Sequence, residues 1–170
     1  MRTGIAAQRC MPAEVLREAV ASVVDTCEIQ TGLRFEVESG LPDLRETDVA
    51  VGSNVALSSE RGAWNLAVMA DRPSAAHLAR ILLAMGDDEE PAVEDLADAL
   101  GEIASVAGGV MKSRRLQAAG RVQIGLPLFM EGRRCLEFIA SGVPGLVRSL
   151  AGPGALRVHV ILIWQAGDRS

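Results

Sequence analysis

The chain lacks a disulfide framework, a membrane-length apolar run, an excess of positive charge and a glycine-rich phosphate loop. Each absence removes a class of function. The cysteines are Cys10, Cys27 and Cys135, widely spaced and without a Cys-x-x-Cys pair. An odd count without framework spacing indicates reduced thiols, buried and structural, in a cytoplasmic protein. No apolar run reaches the roughly 18 residues of a membrane span. The opening segment MRTGIAAQRCMPAEV has one early arginine and no continuous apolar core, so it does not read as a signal peptide. Lys and Arg number 17 against 22 Asp and Glu, a net charge of −5. That balance argues against general nucleic-acid binding, which needs a basic surface.

Metal and nucleophile patterns are also missing. His77 and His159 stand alone, neither at a ligand spacing to Cys, Asp or Glu. The acidic run GDDEEP at residues 86–91 lacks the Asx spacing and glycine of a calcium loop. It reads as a solvated loop whose acids favour the positive end of the helix that follows. Ser58, Ser59 and Ser74 have no adjacent base in sequence, and nothing supports a Ser-His-Asp triad. The basic pairs Arg114-Arg115 and Arg133-Arg134 read as solvated faces, with an acidic partner as the functional alternative.

What remains is a globular composition: 170 residues, 49% hydrophobic and 23% charged, enough for a core. We expect residues 1–170 to form a single domain. A helical period runs from Ala13 to about Thr31, with Pro12 at its start and Gly32 as its stop. Strands are expected at residues 34–38, 47–57 and 63–70, with Gly52-Ser53-Asn54 as a bulge or bend in the second. A short helix follows at residues 75–85. Residues 121–130 read as a strand whose Pro127 implies an edge or a bulge. Residues 135–139 read as a returning strand, and residues 142–154 as a Gly- and Pro-rich loop with a brief helical turn at 146–150. Residues 157–164 are nearly continuously apolar, as a central strand requires. Paired strands among helices, without strict alternation, predict an α+β fold: a mixed or antiparallel sheet with long helices packed on it.

The most informative stretch is residues 93–117, VEDLADALGEIASVAGGVMKSRRLQ. Val93, Leu96, Leu100, Ile103, Ala107, Val110 and Met111 recur at helical steps, the mark of a buried face. Asp98, Glu102, Ser105 and Gly109 repeat the spacing on another face. Read plainly, these are solvent-facing helix residues. Read functionally, an acid, a hydroxyl and a glycine in register form a surface that a partner can approach closely. Gly101, Gly108 and Gly109 inside the helix each cost roughly 1 kcal/mol against Ala, which implies close packing, internal or with a partner.

Asp98-Ala-Leu-Gly-Glu102-Ile-Ala-Ser105-Val-Ala-Gly-Gly109-Val-Met-Lys112-Ser resembles the signature helix of the CheC/CheX/FliY chemotaxis phosphatases. Their pattern is Asp or Ser, three residues, Glu, two residues, Asn, then a downstream proline. Asp98, Glu102 and Pro127 match it, with Pro127 one residue early, over roughly residues 95–132. One signature helix resembles CheX more than CheC, which carries two. The resemblance implies an α+β fold, frequent homodimers and removal of phosphate from the phospho-aspartate of a CheY-type response regulator. It implies that Glu102 pairs with a regulator lysine, that Asp98, Gly109 and Lys112 flank the docking edge, and that the regulator supplies magnesium, the protein holding no cofactor of its own. It also implies an amide that orients the attacking water. Here that position is Ser105, whose side chain is shorter, and the nearest amide along the helix is Gln117. Two outcomes therefore stay open: a phosphatase of weakened or lost activity, or a non-catalytic module that binds a regulator or itself.

Overall fold

The computed structural model of the chain describes residues 12–40, 42, 50–60, 62–114, 121–132, 134–135, 137 and 146–166. Helix α1 (Pro12–Thr31) opens the described chain. It ends where expected, at Gly32, whose φ of 72° is left-handed and whose N–H donates to Glu28 O at 2.9 Å. Strands β1 (Glu36–Val37), β2 (Val51–Ser59) and β3 (Gly62–Ala70) follow. Helix α2 (Arg72–Leu82) is capped by Asp71, whose carboxylate accepts from Ser74 N at 2.7 Å. Helix α3 (Val93–Arg114) has Glu94 and Asp95 in its first turn and Lys112 and Arg114 in its last, the polarity its dipole favours. Residues 115–117, also expected to be helical, lie outside the described residues. Strands β4 (Gln123–Ile124), β5 (Leu128–Glu131), β6 (Leu146–Ala151) and β7 (Arg157–Ala166) complete the set.

The seven strands form one sheet in the order β1-β6-β7-β3-β2-β4, with β5 also on β2, and every pairing is antiparallel. One face of the sheet presents Val55, Leu57, Leu66, Val68, Val158, Val160 and Leu162 to Leu96, Leu100, Ile103, Ala107 and Met111 of α3 and to Val15, Ala19 and Val23 of α1. The other face carries Ala67, Met69, Ile161 and Ile163, packed with Met130 and Cys135. Strands β3 and β7 are thus buried on both sides, which is why β7 reads as an almost unbroken apolar run.

Several local expectations need correction. Residues 146–150 are strand β6 rather than a helical turn, because the segment pairs with β7 from Leu146↔Leu162 to Ala151↔Arg157. Arg134, Cys135 and Glu137 are helical rather than extended; the Cys135 thiol donates to Met130 O at 3.5 Å and its N–H to Gly132 O at 3.1 Å. Gly52-Ser53-Asn54 is no bulge, since β2 pairs with β3 without interruption from Val51 to Ser59. Gly52 instead clears space: a Cβ there would lie 2.6 Å from Met69 Cγ. The bulge sits at Pro127. Ile124 faces Leu57 and Leu128 faces Asn54, so residues 125–127 stand opposite only Val55 and Ala56. Proline lacks the N–H that an unbroken ladder would use.

Candidate functional site

Helix α3 lies between α1, α2 and the sheet, and its two longitudinal stripes separate as the spacing predicts. Leu96, Leu100, Ile103, Ala107 and Met111 are buried, but Val93 and Val110, expected on the same face, lie at its margins, Val93 exposed in the first turn and Val110 half-buried. On the opposite side Asp98 and Glu102 are exposed, and Ser105, Gly109 and Lys112 are half-buried. The five residues form one continuous ridge. Residues i, i+3 and i+4 share a helix face, so Glu102 and Ser105 open onto the same solvent.

The two long helices run antiparallel, tied at both ends. Arg114 donates to Asp25 Oδ2 at 2.8 Å, with Glu18 at 3.7 Å. Near the other end of α1, the Gln30 amide donates to Glu102 Oε1 at 3.4 Å. That contact is long and exposed, so it orients the carboxylate weakly and leaves it free to exchange partners.

The helical glycines divide into two kinds. A Cβ on Gly101 would sit 3.5 Å from the Pro127 ring, and one on Gly108 would sit 3.1 Å from Val55 Cγ1. Both serve internal packing. A Cβ on Gly109 would meet nothing within 4 Å. Its missing side chain therefore costs helix stability with no internal gain, and it keeps the ridge flat beside Ser105.

The two depressions best defined among the described residues lie away from the ridge. A depression of about 360 Å³ is lined by Glu38, Ser39, Gly40, Pro42 and Ser149, and another of about 520 Å³ by Val93, Phe129, Glu131 and Arg134. Neither includes Glu102 or Ser105. Among the described residues no group of three His, Cys, Asp or Glu is placed to hold a metal ion, and no helix is long and apolar enough to cross a membrane. The ridge is an open surface, and an open surface suits a protein partner better than a small molecule, which needs concavity.

One polar pair escaped the sequence reading. Ser149 Oγ and His159 Nδ1 lie 2.8 Å apart, both buried, facing each other across β6 and β7 on the side of the sheet away from α3. No signal could find it before the pairing of β6 was known. Burial holds the His159 imidazole below its usual pKa of 6.5; Arg157 acts in the same direction, while Glu38 and Asp71 oppose it. The folded pKa therefore lies below the unfolded one. The associated stability is complete above about pH 6.5 and is lost as pH falls from there towards the folded value. Urea midpoints should accordingly drop between about pH 7 and about pH 5, the range over which an unperturbed histidine titrates. His159→Gln should flatten that slope, and an equal slope in the variant would assign the effect to other groups. The thiols of Cys27 and Cys135 are pushed up to about 12 and about 11, chiefly by burial. They are protonated and inert at neutral pH; Cys10 lies outside the described residues.

No family model and no curated protein sequence matches the chain. Solved structures do match. CheX from Vibrio vulnificus superposes with a TM-score of 0.69 at 12% identity, over 89% of this chain and 97% of that one. The CheX–CheY–BeF3–Mg2+ complex from Borrelia burgdorferi matches with a TM-score of 0.68 at 19% identity, over 89% and 97%. FliY from Thermotoga maritima matches with a TM-score of 0.58 at 13% identity, over 88% and 86%. With a seven-stranded antiparallel sheet backed by long helices, and with such neighbours along most of its length, the chain has the α+β fold of the CheX, CheC-like and FliY chemotaxis proteins.

Proposed function

We propose that the protein is a CheX-like chemotaxis component that docks a CheY-type response regulator on the α3 ridge. The observation that carries this reading is the outward face of α3, with Asp98 and Glu102 exposed and Ser105 half-buried beside them, in a chain with the CheX fold. A neighbour of the same fold forms a complex with CheY. Glu102 would receive the regulator's lysine, exchanging the long Gln30 contact for a charge-assisted one. Asp98 adds negative charge one turn away, Gly109 admits the regulator's backbone, and Lys112 faces its acidic groups.

The chemistry proposed for the docked state is hydrolysis of the regulator's phospho-aspartate. Magnesium bound by the regulator neutralises charge on the phosphoryl oxygens. The acyl phosphate is already a good leaving group, so positioning one water in line is the remaining task. Ser105 occupies the position from which this chain would hold that water; its hydroxyl both donates and accepts. The second reading is a binding module without turnover, favoured by the short side chain of Ser105, or a self-assembling one.

Docking is tested by titrating the protein against CheY-type regulators of the same organism, with and without BeF3 and Mg2+. Binding to the BeF3-loaded form is expected to be the tighter, and Glu102→Ala to weaken it about tenfold, the loss of one charge-assisted pair at an interface. A protein that binds no regulator in either state would sink the docking reading. Light scattering then decides self-assembly.

A further inference from the structure

Scattered exposed leucines are normal on a protein surface. Two strongly exposed apolar residues whose chain neighbours touch α3 at adjoining positions are another matter. Among the described residues the most exposed large hydrophobics are Leu126 at 90% and Ile29 at 84%. Both adjoin Glu102. Ile29 precedes Gln30, whose amide reaches Glu102 Oε1. Leu126 precedes Pro127, whose ring lies against Gly101, the residue before Glu102. The last turn of α1 and the bulge between β4 and β5 thus each bring an exposed apolar residue into the neighbourhood of Glu102.

The occupant is specified by charge as well as by apolar area. The exposed charges along this part of the ridge are Glu94, Asp98 and Glu102. Lys112 lies ten residues beyond Glu102, about 15 Å along the helix axis. A matching surface therefore carries a cation flanked by apolar side chains. Such flanks exclude water from the central ion pair and strengthen it.

We propose that Ile29 and Leu126 are the apolar contacts of the docking face and determine which receiver it accepts. The inference rests on the reading that α3 docks a CheY-type regulator. That regulator is expected to place apolar groups on either side of the lysine that meets Glu102.

The test compares wild type, Ile29→Ser, Leu126→Ser, Leu126→Met and Glu102→Ala in titrations against BeF3–Mg2+-loaded CheY-type regulators of the same organism. Thermal melts and light scattering accompany each variant. Both side chains are exposed in the free protein, so the melts should not move. Each serine variant is expected to weaken binding about tenfold or more, as removal of a buried apolar side chain does, while Leu126→Met keeps wild-type affinity. If the serine variants bind like wild type and Glu102→Ala alone is weak, the inference is overturned and docking stands. If wild type binds no regulator, both are overturned. If wild type is dimeric and a serine variant dissolves the dimer without touching regulator affinity, the patch belongs to a second copy and the inference fails.

Discussion

Replacing Ser105 by asparagine is expected to accelerate discharge of a phosphorylated CheY-type regulator by about 10²-fold over the wild-type protein. The figure follows from geometry, since an error of about 1 Å in placing a reacting group costs on the order of 10²-fold. Serine is about one bond shorter than the amide it would replace, and an amide accepts from the water while donating elsewhere. Space is available, because Gly109, one turn along the same face, presents no side chain and nothing lies within 4 Å of where one would be. The measurement is inorganic phosphate release, set against the regulator's own decay. Adding Glu102→Ala to the asparagine variant should lower the rate about tenfold when the protein is below saturation, because the water is useful only when the helix is docked. Equal rates for wild type, Ser105→Asn and the regulator alone would end the enzymatic reading and leave the binding module.

The largest stability effect is expected at Gly62, away from the site. Its φ of 137° is a conformation that side chains resist. A Cβ there would also run into Gln165 O and come within 2.7 Å of Trp164 Cη2. The Trp164 ring is held from the other side by Trp64, directly opposite in the β3–β7 pairing, with ring centroids 4.6 Å apart and planes tilted by 44°. Neither the strand backbone nor the stacked ring can retreat easily. Backbone strain and overpacking together put Gly62→Ala at about 3 kcal/mol or more, a loss of roughly 10 °C in Tm for a domain of this size. Trp64 and Trp164 are the two tryptophans of the chain, so their fluorescence follows the melt directly. A shift under about 2 °C, which is under 1 kcal/mol here, would mean that the β2–β3 turn rearranges freely and that the tryptophan pair is no constraint.

The helices were legible in the sequence because their signals are local. The apolar period of α3 repeats over six turns and Gly32 stops α1, while α2 begins and ends three residues earlier than its apolar pattern suggests, with Asp71 capping its start. Strand β7 announced itself by being apolar on both faces. Strand β6 did not. Its six residues, LVRSLA, have no clear alternation, and they become a strand only because β7 offers a partner edge. The same holds for Cys135, whose surroundings are set by β3, β5 and β7 rather than by its neighbours in the chain. At the site, the ridge could be read in advance because Asp98, Glu102, Ser105 and Gly109 obey the helical repeat. Its flanks could not, since the exposure of Ile29 and Leu126 is decided by how α1 and the β4–β5 segment settle against α3. The glycines illustrate the limit: Gly101 and Gly109 look alike in sequence, yet one is packed by Pro127 and the other faces solvent.

The bulge at residues 125–127 also shapes the border that the sheet has among the described residues. Strand β2 is nine residues long, and a regular partner beside it would expose a continuous row of unsatisfied backbone groups to any other chain. Instead that border is cut into β4 and β5, of two and four residues, with a proline and the local twist of the bulge between them. Neither piece is long enough to template a foreign strand. The same kink that lifts Leu126 into solvent thus discourages fibre-like growth from this end of the sheet, so a sticky recognition residue is carried on a border that resists aggregation.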